Sequence, residues 1–153
     1  MHWLELKVHP PLVTLATGVV MLGVSRILPG FSLAWPGRIV VALSLVVVGG
    51  AIALAGVAVF RRQGTTIKPT TPGAASSLVS SGVYRYSRNP MYLGLLLALT
   101  GLAVYLSNAA AVLFLAAFVA YMTRYQIKPE ERALLAKFGP AFAQYMSNVR
   151  RWV

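Results

Sequence analysis

Residues 39–60 run for 22 positions without a charged side chain. A helix needs about 20 apolar residues to cross the hydrocarbon core of a bilayer. No water is present there to satisfy an exposed peptide group, so such a run must fold as a helix. Three further apolar runs occupy residues 12–28, 91–106 and 109–125. The composition agrees: 58% of residues are hydrophobic and 11% are charged, against roughly 25% charged in a soluble domain. These runs exclude a soluble globular enzyme and a disordered chain, and the length excludes a large transporter. The expectation is an all-α integral membrane domain of four transmembrane helices.

The breaks between the runs have ordinary chemistry. Pro29-Gly30 and Pro36-Gly37 bound a short loop after the first span. A single helix over residues 91–125 would be about 52 Å long, too long for one crossing, so a helical hairpin is expected to turn at Ser107-Asn108. Gly49 and Ala53 lie four residues apart, which lets a second helix approach closely. Packing inside the chain is expected there rather than a dimer interface. Residues 61–90 form a polar loop rich in Gly, Ser, Thr and Pro, and loops of that length are usually functional or disordered. Residues 126–153 read as an amphipathic tail. Pro129 is expected to start a helix with Glu130 and Glu131 in its first turn, and Gly139-Pro140 to break it.

The formal charge is +11, yet the basic residues stand between apolar runs and not on one solvated face, which excludes nucleic-acid binding. Twelve of the fourteen lie before the first span, between spans two and three, or at and after the end of span four. Arg26 and Arg38 lie on the other side. The positive-inside rule then puts both termini and the long loop in the cytoplasm, with a bacterial inner membrane as the expected site. Trp3 is expected to anchor at the headgroups. The first run is too long for a signal-peptide core and no small-residue cleavage site follows it. There are no cysteines, and the two histidines, His2 and His9, are expected at the interface, so no metal site is expected.

The three acids are Glu5, Glu130 and Glu131, all outside the spans. An intramembrane ionisable group usually marks an ion pathway, so its absence weighs against a small transporter. Chemistry is expected at the cytoplasmic face. There Ser87-Arg88-Asn89-Pro90-Met91-Tyr92 opens the third span. Asn89 suits an N-cap, Pro90 suits the first helical position, and Arg88 adds a fork of donors for an anion. An ordinary helix start with a positive-inside arginine reads the same way, and Glu130-Glu131 reads equally as a helix cap. Together the two clusters offer donors for a carboxylate and acceptors for an ammonium, so an amino-acid-like moiety could lie between them.

The stretch Gly82-Val83-Tyr84-Arg85-Tyr86-Ser87-Arg88-Asn89-Pro90-Met91-Tyr92-Leu93-Gly94, with Glu130-Glu131-Arg132-Ala133-Leu134, Phe138-Gly139, Tyr145 and Arg151-Trp152 after the hairpin, resembles the isoprenylcysteine carboxyl methyltransferase and phospholipid methyltransferase superfamily. The resemblance covers about residues 65 to 153. It implies a membrane methyltransferase that uses S-adenosylmethionine on a lipophilic acceptor drawn from membrane lipid. It further implies that Gly82, Tyr84, Arg88, Asn89, Pro90, Tyr92, Gly94, Glu130 and Glu131 surround the cofactor. Arg88, Tyr92, Glu131 and Arg124 are the expected catalytic residues. Isoprenylcysteine members carry His where Asn89 stands, and Asn is common in the phospholipid type. The arginine that those members place one turn before the glutamate pair is replaced by Ile127-Lys128, so Lys128 or Arg124 would take its role. The acceptor therefore stays open between a phospholipid and an isoprenylcysteine-like carboxylate. A non-enzymatic membrane binding or assembly protein of the same fold is the alternative.

Overall fold

The computed structural model describes residues 5–64 and 75–153. Trp3 and His2, with the interfacial roles expected of them, lie outside the described residues, as do Lys68 and residues 65–74 of the long loop. Among the described residues there are six α-helices: α1 (Pro10–Ile27), α2 (Arg38–Arg62), α3 (Pro90–Leu106), α4 (Ala109–Tyr121), α5 (Lys128–Phe138) and α6 (Pro140–Asn148). They include no strand. One isolated bridge pairs Ser32 with Asn108.

Proline and glycine set most of the helix ends. A proline occupies one of the first two positions of α1, α3 and α6, where a missing N–H costs nothing. Gly37, at φ +87°, makes the left-handed entry into α2. Asn108 turns the hairpin between α3 and α4. Its Oδ1 accepts the Ala110 and Ala111 amides at 3.0 and 3.3 Å, and its Nδ2 donates to the Leu28 carbonyl at 2.9 Å and Ser32 Oγ at 3.1 Å. This buried amide caps α4 and ties the hairpin tip to the α1–α2 loop.

Among the described residues, three helices are long and apolar enough to cross a membrane: Pro10–Ile27, Arg38–Arg62 and Ala109–Phe138. α3, at 17 residues, is a shorter apolar helix of about 26 Å. It lies antiparallel against α2, and glycines bring the two backbones together. A Cβ on Gly49 would stand 2.6 Å from the Gly94 carbonyl, and one on Gly101 would stand 2.7 Å from that of Ala42. Gly49 and Ala53 thus face α3 of the same chain. Met21, Leu99, Ala111 and Phe118 form the buried core where α1, α3 and α4 meet. Outward residues such as Leu15, Val40, Leu54 and Leu113 are more than half exposed. An apolar outer surface on this scale suits lipid and not water.

The tail differs from the sequence expectation. Pro129 does not start a new helix. α4 continues through a π-helical turn, Met122–Ile127, straight into α5. Proline has no N–H and its ring crowds the carbonyl four residues back, here that of Tyr125. The backbone answers by widening: the Lys128 amide donates to the Thr123 carbonyl, five residues earlier. Glu130 and Glu131 therefore do not sit at a free helix N-terminus. The uncharged part of this long helix, which hydrocarbon can hold, is residues 109–123. Glu130 lies about 10 Å further along. Gly139, at φ +52°, ends α5 and Pro140 begins α6.

Candidate active site

A cavity of about 100 Å³ opens where the segment before α3, the first turn of α3, α5 and α6 meet. The start of α3 is held by the C-terminal segment. The Arg88 amide donates to the Arg150 carbonyl at 3.0 Å, and Asn89 Nδ2 donates to the Arg151 carbonyl at 2.8 Å. Asn89 makes no side-chain cap, in contrast to its expected role. Its side chain is spent on the tail, and its own amide donates to Ser87 Oγ at 3.1 Å.

Nor do the two charged clusters face each other across a gap. Arg88 Nη2 donates directly to Glu131 Oε1 at 2.8 Å, and Arg151 donates to both Glu131 oxygens at 3.0 and 2.7 Å. Arg88 Nη1 donates to the Met146 carbonyl at 2.8 Å. Glu131 is thereby saturated by two guanidinium groups and orders the tail. The Glu131 bonds raise the pKa of Arg151 against a smaller opposing effect of burial.

Glu130 is placed differently. Its Oε1 accepts from the Tyr92 hydroxyl at 2.5 Å and from Gln126 Nε2 at 2.6 Å, on the cavity wall. Enclosure by protein is the largest influence on its carboxyl and pushes it up to about 7. The two hydrogen bonds pull it down, and neighbouring Glu131 adds a further push upward. Burial also raises Tyr145 to about 12, against the pull of the Arg88 charge. Tyr84 is raised as well, chiefly by burial.

Among the described residues, three buried side-chain polar atoms have no hydrogen-bond partner: Ser77 Oγ, Tyr84 Oη and Arg88 Nε. All three residues line this one cavity. Buried polar groups are nearly always satisfied, and leaving one unmade costs about 1–3 kcal/mol. Three residues that carry unsatisfied polar groups thus line one cavity, an arrangement that would suit a ligand that accepts hydrogen bonds. Glu130, on the same wall, offers an acceptor for a donor or a cation. The remaining wall is largely apolar, with Leu78, Met91, Ile127, Leu134 and Phe142.

Of the expected site residues, Tyr84, Arg88, Asn89, Tyr92, Glu130 and Glu131 come together on the cavity. Gly82, Pro90 and Gly94 do not line it. Gly82 turns the chain at φ +60° with α2 close behind it: a Cβ there would meet Val59 at 2.9 Å. Gly94 packs against Gly49. Arg124 points elsewhere, to Glu5 at 3.3 Å. Sequence reasoning missed Ser77, Gln126 and the pairing of Arg151. Gln126 carried a signal: it is an uncharged polar side chain four residues before Glu130, on the same helix face. Ser77 carried none.

A family model described as phospholipid methyltransferase matches residues 37–141. An uncharacterized protein of Haemophilus influenzae is 40% identical over 63 residues, which are 41% of this chain and 100% of that relative. No solved structure matches.

Proposed function

The chain belongs to the phospholipid methyltransferase family, and we propose that it transfers a methyl group from S-adenosylmethionine to a lipophilic acceptor at the cytoplasmic face of the membrane. In this reading α3 is a fourth span, the two termini are cytoplasmic and the membrane is the bacterial inner membrane. The acceptor is a phospholipid or an isoprenylcysteine-like carboxylate. The observation that carries the reading is that three residues with unsatisfied polar atoms, together with Glu130, line one cavity.

The donor set fits the amino-acid end of the cofactor. The Tyr84 hydroxyl, Arg88 Nε–H and Ser77 hydroxyl suit its carboxylate, and Glu130 suits its ammonium. The enclosed space of about 100 Å³ is below the roughly 300–1,000 Å³ of pockets that hold a whole ligand, so it takes one end only. When bound, the cofactor supplies a methyl group on a sulfonium, open to in-line displacement. The protein's contribution is alignment and exclusion of water, and orientation alone can contribute about 7–11 kcal/mol. Tyr92 and Gln126 fix the Glu130 carboxylate. Arg88 and Arg151 fix Glu131 and with it the tail. Ile127, Leu134 and Phe142 keep the site dry, which strengthens the charges within it.

Calorimetry with S-adenosylhomocysteine on the purified protein in detergent tests this. Binding is expected. A Tyr84→Phe, Glu130→Gln double variant should lose at least about a hundredfold in affinity, since two hydrogen bonds to charged groups contribute about 3 kcal/mol or more. Equal affinity in that variant would sink the site assignment, and no binding by wild type would sink the function.

A further inference from the structure

The π-helical turn has a fixture that neither the cavity nor the ion pairs around Glu131 account for. Pro129 deprives the Tyr125 carbonyl of its α-helical donor, and the Leu6 amide supplies one instead, at 3.0 Å. To reach it Leu6 adopts φ +59°, a left-handed conformation that a branched side chain rarely takes unless its surroundings hold it there. The neighbouring Glu5 provides the hold. Its side chain is only 7% exposed, and it accepts from Arg124 at 3.3 Å and from Arg132 at 2.6 Å. Arg124 lies within Met122–Ile127 and Arg132 lies on α5 beyond it, so one carboxylate ties the turn to the helix that follows while the adjacent amide caps the turn at Tyr125. Gln126 lies within the turn and Glu130 just beyond it, and both are in the hydrogen-bonded group at the cavity.

We propose that Glu5 is a positioning residue: with the Leu6 amide it clamps the π-helical turn in the form that holds Gln126 against Glu130 at the cavity. Arg124, expected from the sequence at the reaction, belongs to this clamp. The clamp acts on the site through the backbone of the turn, and Glu5 itself does not line the cavity. Its effect on ligand affinity rests on the methyltransferase reading. Its effect on the turn does not.

The test uses the full chain in detergent micelles, with amide hydrogen exchange over residues 122–131 and S-adenosylhomocysteine affinity measured on the same samples. For Glu5→Gln, exchange over 122–131 should quicken at least about tenfold while α2 and α3 stay protected, because local opening is governed by local contacts. Affinity should fall by about tenfold, the loss expected when one group in a charge-assisted network is displaced. Glu5→Asp should restore part of both. Leu6→Gly, which accepts a positive φ and keeps the amide, should leave both unchanged. Unchanged exchange over 122–131 in Glu5→Gln would overturn the clamp, and so would exchange that quickens equally in every helix. If wild type binds no ligand, the methyltransferase reading fails, and the exchange pattern alone still decides for or against the clamp.

Discussion

Gly49→Ala separates a backbone contact from a generic glycine effect. The added Cβ would stand 2.6 Å from the Gly94 carbonyl oxygen, 2.9 Å from Leu97 Cβ and 3.3 Å from the Ala98 amide nitrogen. None of these atoms can swing away as a side-chain tip would. An ordinary close carbon–oxygen contact is about 3.3 Å, so α2 and α3 must part by roughly 0.7 Å. Overpacking of this kind costs about 1–3 kcal/mol, and rigid neighbours favour the upper half of that range. Gly50, the next residue, meets nothing within 4 Å. There the same substitution should stabilise by about 0.5–1 kcal/mol through helix propensity. In thermal unfolding of the purified protein, Gly49→Ala should melt about 5–10 °C below wild type and Gly50→Ala slightly above it. Gly94 lies two residues from Tyr92, so the shift should also weaken ligand binding at the cavity. Equal melting temperatures for the two variants would refute the packing account.

Glu131→Gln breaks ion pairs with Arg88 and Arg151, whose side chains are 11% and 33% exposed. Allowing for the solvent around Arg151, the loss should be about 2–4 kcal/mol, read by denaturant unfolding. Glu130 gives a pH dependence. A buried acid raised from 4.5 to about 7 holds its proton more tightly folded than unfolded. The destabilisation is absent below pH 4.5 and complete above pH 7, on the order of 2 kcal/mol after allowance for its place on a cavity wall. Melting temperature should therefore fall between pH 4.5 and about 7 in wild type, and Glu130→Gln should remove that part of the slope. Tyr92→Phe deletes a hydrogen bond that favours the Glu130 carboxylate, so the upper end of the same pH window should move higher, by the same melting assay.

The helical architecture was legible because its signals are local. The charge-free run at residues 39–60 becomes α2, and Gly37, Pro90 and Asn108 stand at the helix starts. The region after residue 121 was not legible in the same way. Pro129 reads as a helix start from its neighbours alone. Whether a proline ends a helix or widens it depends on a donor for the carbonyl behind it, and here that donor is Leu6, more than a hundred residues earlier. The site was half legible. Arg88 and Glu131 were singled out by chemistry, but their direct contact depends on how α3 and α5 meet in space. Asn89 looked like a cap because Asn usually is one at that position. The nearby Arg151 carbonyl takes its side chain instead. Gln126 was legible only as a polar neighbour four residues before Glu130, and its bond to that carboxylate is seen in the structure.

The central claim is methyl transfer to a lipophilic acceptor. The direct measurement incubates the protein with methyl-labelled S-adenosylmethionine and total membrane lipid, then identifies labelled product by mass spectrometry. The account predicts label in a lipid-extractable product with wild type, and at least about a hundredfold less with Tyr84→Phe, Glu130→Gln, since two hydrogen bonds to charged groups contribute about 3 kcal/mol or more. Wild type that binds the cofactor product but labels no lipid would contradict it and leave a membrane binding protein in place of an enzyme.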